Sequence, residues 1–95
     1  MVFLPEPIKF QWDKGNIDKN LVKHAVADEE CEEVFFDGNK KIYKDKLHSG
    51  AEERHIIIGR SKLKRILFIV FTIRKNKIRV ISARDLNKKE RKLYE

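Results

Sequence analysis

The sequence predicts one small α+β domain, in which an antiparallel sheet packs with two N-terminal helices and a short C-terminal helix. The length of 95 residues and the 41% hydrophobic content suit a single modest core. Strand-like apolar segments concentrate in the second half of the chain. The connections between them are too short for helical crossovers, so neighbouring strands should run antiparallel as a meander. The expected order over residues 1–95 is β-α-α-β-β-β-β-α.

The N-terminal third begins with a predicted strand and a predicted helix. Ile8–Trp12 alternates apolar and polar residues, the period of a strand with one buried face. Asp13 follows and can cap a helix that runs from Lys14 to His24. The apolar residues that recur in this helix at steps of four, and that should face the core, are Ile17, Leu21 and Ala25. The polar residues on its other side would be Asn16, Lys19, Asn20 and Lys23.

Capping and turn residues mark two further helices. The acidic run that starts at Asp28 is typical of a helix first turn, and this second helix should reach about Phe36. The residues it should bury are Cys31, Val34 and Phe35. The turn residues Asp37-Gly38-Asn39 end it. Near the C-terminus, Asn87 and Glu90 form a capping-box pattern for a last helix from Lys88 to Tyr94.

Four segments between these helices have the composition of strands. Lys41–Lys44 predicts a weak edge strand, Arg54–Arg60 a stronger one, and Ile78–Ala83 the last. The third segment, Lys64–Ile73, is so continuously apolar that both of its faces are expected to be covered.

Charge is divided unequally along the chain and indicates a polyanionic partner. Residues 54–95 carry 14 Lys and Arg against 3 Asp and Glu, whereas residues 1–53 carry 8 against 12. The C-terminal half is therefore strongly basic, and the formal net charge of the chain is +7. A field of one sign over so short a stretch attracts phosphates and speeds encounters with them. Nucleic acid is the partner that this pattern favours.

Several other classes of function lack their signatures. No Gly-rich phosphate-binding loop is present, so no nucleotide cofactor is expected. His24, His48 and His55 lack the spacing of zinc ligands, and no serine lies in a Gly-x-Ser-x-Gly context. Cys31 has apolar neighbours, which favours a buried, reduced thiol and a cytoplasmic location. No signal peptide and no membrane span are predicted.

Motifs spread from Phe10 to Glu95 resemble, in the same order, those of the BrnT-type toxins. The N-terminal ones are Phe10-x-Trp12-Asp13, Asn20-x-x-Lys23-His24-x-Val26 and Glu29-x-x-x-Glu33-Val34-Phe35-x-Asp37. The later ones are Glu52-Glu53-Arg54-x-x-x-Ile58-Gly59, Leu67-Phe68-x-Val70-Phe71-Thr72, Ile78-Arg79-Val80-Ile81-Ser82-Ala83-Arg84 and Glu90-Arg91-x-x-Tyr94. The resemblance implies a RelE-like fold and an endoribonuclease toxin that cuts RNA and halts translation. It also implies neutralisation by a cognate DNA-binding antitoxin. The toxin would then contact DNA only indirectly, through its complex with the antitoxin.

The chain departs from the family pattern at two places beside the expected site. Ala25 stands where the family usually has Gly after the Lys-His pair, which could alter the end of the helix. Asp85 follows the Ser-Ala-Arg motif where the family more often has a basic residue. A carboxylate is therefore expected to enter the groove beside Arg84.

Metal-free RNA cleavage needs a base for the 2′-hydroxyl proton, cations for the crowded phosphorane and an acid for the departing 5′-oxygen. His24 can act as base or acid near neutral pH. Lys23, Arg79 and Arg84 are the candidate phosphate clamps. His24 could instead only balance the helix dipole. Because Arg79 and Arg84 are five residues apart, they share a face only if a bulge intervenes or if Arg84 lies past the end of the strand, which is the arrangement we expect.

A second group of residues could bind RNA without taking part in the reaction: Arg54, Arg74, Arg91, Tyr94 and Trp12. The aromatic rings could stack on unpaired bases, and Tyr94 could also donate a proton. Structural roles compete with each of these assignments. Arg54 could form a cross-strand ion pair, Arg74 could lie in a solvated hairpin tip, and Trp12 could belong to the core.

Two other classes of function remain open at this point. A basic sheet could grip nucleic acid without cutting it, as a binding module or repressor subunit does. The basic surface could also meet only an acidic protein partner.

Overall fold

The computed structural model describes residues 4–46 and 50–95, and a four-stranded antiparallel sheet forms its centre. The strands lie in the order β1-β2-β3-β4, so the predicted α+β meander is confirmed. The strands are β1 (Lys41–Asp45), β2 (Arg54–Arg60), β3 (Ile66–Arg74) and β4 (Lys77–Asp85); the helices are α1 (Lys19–His24), α2 (Asp28–Val34) and a C-terminal 3₁₀ helix (Lys88–Leu93). Each strand lies within a few residues of its predicted bounds.

α2 covers one face of the sheet, and the other face is covered only in part. Along β3, Leu67, Ile69 and Phe71 are buried beneath α2, whereas Phe68 and Val70 alternate with them and are half-buried. The expectation that both faces of this segment are covered therefore holds only in part, because Thr72 on the second face is buried but Phe68 and Val70 are not fully covered. We call the face that carries Phe68 and Val70 the open face. The C-terminal 3₁₀ helix crosses one end of the open face, where Tyr43 Oη donates to Leu93 O over 2.6 Å.

The second helix matches its prediction closely. α2 buries Cys31 and Val34, and Phe35 follows it into the core. Gly59 in β2 lets α2 approach the sheet, because a Cβ atom there would stand 2.8 Å from Val34 Cγ1. Burial and the neighbouring carboxylates raise the pKa of the Cys31 thiol to about 12. No helix in the described ranges is long and apolar enough to cross a membrane.

The predicted first strand is absent. Ile8–Trp12 makes only an isolated parallel bridge between Phe10 and Ile78, with backbone hydrogen bonds to Ile78 on either side. The alternation in this segment reflects packing rather than pairing. Phe10 meets Phe35 edge to face at 5.2 Å, and Ile8 and Trp12 also pack against the core.

The first helix is shorter than predicted and buries the opposite side. Asp13 accepts hydrogen bonds from the next residues, but residues 14–18 form turns and α1 begins at Lys19. Ile17 and Leu21, which were expected in the core, are 50% and 48% exposed, whereas Asn16 and Asn20 are 2% and 1% exposed.

The reason for this inversion is the free edge of β4. Asn16 Nδ2 donates to Val80 O over 3.2 Å, and Asn20 Oδ1 accepts from Ala83 N over 2.9 Å. Two amides thus satisfy the backbone groups that a fifth strand would otherwise pair.

The last helix is a 3₁₀ helix rather than an α-helix, and its predicted capping box is confirmed. Asn87 Oδ1 accepts from Glu90 N over 2.9 Å, and Glu90 Oε1 accepts from Asn87 N over 3.1 Å.

Candidate functional site

A β-bulge in β4 brings Arg79 and Arg84 to the same face of the sheet. Phe71 pairs with Val80 and Val70 pairs with Ser82, which leaves Ile81 as one extra residue between the pairs. The extra residue reverses the alternation of side chains beyond it. Arg79 therefore lies opposite Thr72 and Arg84 opposite Phe68, both on the open face. Our expectation that Arg84 lies past the strand end is wrong, because β4 continues to Asp85.

Arg79 lies in a cleft of about 170 Å³, which we call the basic groove. Its cationic lining residues come from four different elements: Lys19 from α1, Arg54 from β2, Arg74 from β3 and Arg79 from β4. Gly15 also lines the groove, and a Cβ atom at this position would stand only 2.5 Å from Arg79 Nη2. The absence of a side chain at Gly15 thus makes room for the guanidinium.

Carboxylates neutralise two of these arginines. Asp13 takes Arg79 in a two-pronged ion pair, with Oδ2 to Nη1 at 2.6 Å and Oδ1 to Nη2 at 3.0 Å. Glu52 holds Arg74 in the same way, with Oε1 to Nη2 at 2.7 Å. The hydrogen bonds from Arg79 and Arg74 keep the pKa values of Asp13 and Glu52 below their ordinary values. A phosphate that enters the groove must therefore compete with two charged carboxylates.

Arg84 lies farther along the open face and is also paired. Its guanidinium carbon lies 4.2 Å from the centre of the Phe68 ring, a cation–π contact. Both of its terminal nitrogens donate to Glu90 over 2.8 Å. The expectation that the Asp85 carboxylate enters the groove is wrong, because Asp85 is held by Arg65, with Oδ1 to Nε at 3.0 Å.

Lys23 and His24 occupy the exposed last turn of α1. Lys23 comes one turn after Lys19 and therefore lies on the same side of α1, although it does not line the basic groove. His24 lies about 100° farther round the helix. Ala25 then ends α1 in the left-handed conformation, with φ of 56°. This conformation favours glycine, the residue that the BrnT-type toxins usually have after the Lys-His pair.

The remaining predicted residues lie away from the basic groove. Arg91 and Tyr94 line a larger cavity of about 650 Å³ beneath the 3₁₀ helix. Tyr94 Oη donates to Asp37 Oδ2 over 2.7 Å, and burial together with this bond raises the pKa of Tyr94. Trp12 packs against the core and donates from Nε1 to Glu32 Oε2 over 2.7 Å, near α2. The structure thus groups Arg54, Arg74 and Arg79 around the basic groove, with Arg84 on the same face.

Sequence reasoning missed Lys19, Asp13 and Glu52 as parts of this site. The four-residue step from Lys19 to Lys23 was a usable signal, because such residues are neighbours on a helix surface. The two carboxylates gave no such signal, because their arginines lie far away in the sequence. No group of three or more His, Cys, Asp or Glu within residues 4–46 and 50–95 is placed to hold a metal ion. His48 lies outside these ranges.

Comparison with known proteins identifies the family. None of the curated proteins matches the chain. The family model described as the ribonuclease toxin BrnT, of type II toxin–antitoxin systems, matches residues 12–90. This range includes Lys19, Arg54, Arg79, the bulge and Arg84. The chain belongs to the BrnT family of ribonuclease toxins.

Proposed function

We propose that this chain is an endoribonuclease that cuts RNA without a metal ion on the open face of its sheet, and that the cuts inhibit translation. The observation that supports the proposal is the bulge at Ile81, because it sets Arg84 on the same face as Arg79, which lies beside Lys19 and Arg54. An extended row of cations on a folded sheet suits a single-stranded phosphate backbone.

The reaction divides among a few side chains. His24 takes the 2′-hydroxyl proton, and the 2′-oxygen attacks the neighbouring phosphorus while the bond to the 5′-oxygen breaks. Arg79 and Arg84 leave their carboxylates to bind the phosphorane oxygens, since guanidinium can grip two oxygens at once. Lys23 adds positive charge beside them. The resulting ends are a 2′,3′-cyclic phosphate and a 5′-hydroxyl, which acquires the proton returned by His24 or water.

Other residues contribute binding. Arg54 and Arg74 hold flanking phosphates in the basic groove. Arg91 and Tyr94 extend the surface toward the 3₁₀ helix, where the Tyr94 ring offers a stacking face. We assign Trp12 a positioning role, because its hydrogen bond to Glu32 fixes the segment that leads into Asp13. A cognate DNA-binding antitoxin is the proposed protein partner.

The test is cleavage of end-labelled RNA by the purified protein, free of antitoxin, in EDTA. We expect the wild type to leave cyclic phosphate ends. His24→Ala should lower the rate at least 100-fold, the usual contribution of a general acid or base. Arg79→Ala and Arg84→Ala should lower it similarly. Lys62→Ala is the matched control, because it removes an exposed cation near α2 and should leave the rate unchanged.

Intact RNA despite tight, salt-dependent binding would contradict a ribonuclease that acts on free RNA. The same assay with translating ribosomes would then separate a ribosome-dependent enzyme from a module that only binds RNA. Equal cleavage by wild type and the His24→Ala variant, with its fold confirmed by circular dichroism, would remove His24 from the mechanism.

A further inference from the structure

The larger cavity beneath the 3₁₀ helix, which we call the C-terminal cavity, lies on the same side of the sheet as the basic groove. Its sheet-borne lining residues are Lys41, Arg60 and Ile66. Ile66 pairs with Arg60 and precedes Phe68 by two residues, and Lys41 pairs with Ile58, so all three belong to the open face. The volume of about 650 Å³ lies within the roughly 300–1,000 Å³ of small-molecule sites. The C-terminal cavity therefore has room for a whole nucleotide.

Two cations of the C-terminal cavity are available to a ligand. Arg60 is engaged, because its backbone N–H donates to Asp37 Oδ2 over 2.8 Å and its guanidinium meets the Tyr94 hydroxyl. Lys41 and Arg91 are exposed, and within residues 4–46 and 50–95 neither side chain has an ion pair or a hydrogen bond. An anion can therefore meet Lys41 and Arg91 without displacing a carboxylate.

Arg91 is the central residue of this region. The C-terminal cavity continues into an adjoining cavity of about 360 Å³, and Arg91 lines both. The adjoining cavity adds the exposed cation Lys64. It also contains Asp85, but the carboxylate of Asp85 is held by Arg65. Glu95 contributes a carboxylate to the C-terminal cavity itself, where the cations outnumber it. The region as a whole favours an anionic ligand.

The C-terminal cavity and the basic groove lie at opposite ends of the open face. Arg54 lines the groove and Arg60 lines the cavity, and both belong to β2, six residues apart. This spacing corresponds to roughly 20 Å along an extended strand. Arg84 lies at an intermediate level, because Phe68 pairs with Arg84 on one side and with Ile58 on the other. A polyanion that runs along the open face would meet the groove, Arg84 and the cavity in that order.

We infer that the C-terminal cavity binds one nucleotide of the RNA and anchors the strand roughly 20 Å from the basic groove, with Arg91 holding the phosphate. A guanidinium can grip two phosphate oxygens, and Lys41 adds charge beside it. The ring of Tyr94, rather than its hydroxyl, and the side chains of Ile66 and Leu86 offer contacts to the base. An acidic protein segment would use the cations but not this apolar lining. The inference rests on the proposed function, since it takes RNA as the ligand.

The test measures binding separately from cleavage. The probe is a fluorescent uridine octamer with 2′-O-methyl groups throughout, which cannot be cut, and anisotropy gives its affinity over a series of salt concentrations. We expect Arg91→Gln to weaken binding about 10-fold at low salt. The slope of log affinity against log salt concentration should become shallower by about 0.7, the value for one phosphate contact to a single strand.

Lys88→Gln is the matched control. It removes the same charge from an exposed position on the same 3₁₀ helix, but Lys88 lines neither the C-terminal cavity nor the adjoining one. Its affinity for the octamer should stay within about 2-fold of the wild type. Lys41→Gln, on β1, should weaken binding as Arg91→Gln does, and it keeps the test decisive if Arg91→Gln does not fold. Uridine monophosphate, used as a competitor, should bind far more weakly than the octamer, because it cannot reach the rest of the open face.

Affinities and salt slopes that match the wild type in both Arg91→Gln and Lys41→Gln would overturn the inference. Uridine monophosphate that binds as tightly as the octamer would also overturn it, because the cavity would then hold a free nucleotide. A polyglutamate peptide that needs Arg91 for binding, when the octamer does not, would assign the cavity to an acidic protein instead.

The outcome is distinct from that of the ribonuclease assay. Octamer binding that depends on Arg91, in a protein that never cuts unmodified RNA, would support the anchoring site and remove the proposed activity. Cleavage of long RNA with the same KM in wild type and Arg91→Gln would do the reverse.

Discussion

The amide side chains of Asn16 and Asn20 hold the segment that carries Lys19, Lys23 and His24 against the sheet. Both side chains are buried, and each bonds a backbone group on the free edge of β4. Burying a polar group costs free energy unless the group has such a partner. The position of the catalytic candidates on α1 therefore depends on two hydrogen bonds rather than on an apolar helix face.

Asn20→Ala should destabilise the fold far more than Leu21→Ala. Removing the Asn20 amide leaves the buried Ala83 N–H without its acceptor, which should lower the free energy of unfolding by about 1–3 kcal/mol. Leu21 is half-exposed, and its truncation should change stability by less than about 0.5 kcal/mol. Urea denaturation of the two variants measures both values. A larger loss of stability for Leu21→Ala would indicate that α1 buries its apolar side, as the apolar spacing predicts.

His55 should make the fold sensitive to mild acid. It is 7% exposed beside Phe71, and burial lowers the pKa of its ring below 6.5. Below about pH 6.5 the His55 ring therefore binds a proton more readily in the unfolded chain than in the folded chain. The free energy of unfolding should fall as the pH decreases from 7 to 5. His55→Phe should flatten this decrease. Denaturant titrations at several pH values check it; parallel pH profiles for wild type and His55→Phe would contradict the prediction.

At the scale of elements, the bulge in β4 decides which side chains share a face. Without Ile81 as an extra residue, Arg79 and Arg84 would point to opposite sides of the sheet. The same extra residue also lines the basic groove. The bulge is therefore the local feature on which the proposed site depends most.

The 3₁₀ helix is linked to the open face through Glu90, which caps the helix and also neutralises Arg84. Glu90→Gln keeps hydrogen-bonding groups but removes the charge. We expect RNA to bind about 2- to 5-fold more tightly at low salt, because the phosphate no longer competes with a carboxylate for Arg84. The free energy of unfolding should fall by about 0.5–1 kcal/mol. Anisotropy and urea denaturation measure the two effects.

Glu29→Gln is the control for this substitution. It makes the same change in net charge at an exposed position on α2, which packs on the opposite face of the sheet from Arg84. Equal gains in affinity for the two variants would show that overall charge, rather than release of Arg84, causes the effect.

Elements with a local signal could be predicted from the sequence, and elements that depend on distant partners could not. The capping box of Asn87 and Glu90 lies within four residues, and the apolar runs of β2 and β3 can be recognised as strands without reference to the rest of the chain. The bulge depends on the register between β3 and β4, for which one strand alone contains no information. The burial of Asn16 and Asn20 depends on the free edge of β4, whereas periodicity counts only apolar residues.

The molecule as a whole is strongly basic, but the arginines of the proposed site are paired with carboxylates. The net charge of +7 attracts a polyanion from a distance. Within contact range, Arg74, Arg79 and Arg84 each have a carboxylate partner. The charge split along the chain could therefore be read from the sequence, but the pairing that RNA must displace could not.

We propose that RNA lies on the open face of the sheet, between α1 and the 3₁₀ helix. The most direct test is NMR chemical-shift mapping of the ¹⁵N-labelled protein with an uncleavable 2′-O-methyl RNA oligomer. We expect the perturbed amides to cluster at Lys19–His24, around Arg54 and across the bulge from Arg79 to Arg84, with α2 and Trp12 unaffected. Perturbations that cluster on α2 and spare β4 would contradict this placement of the RNA.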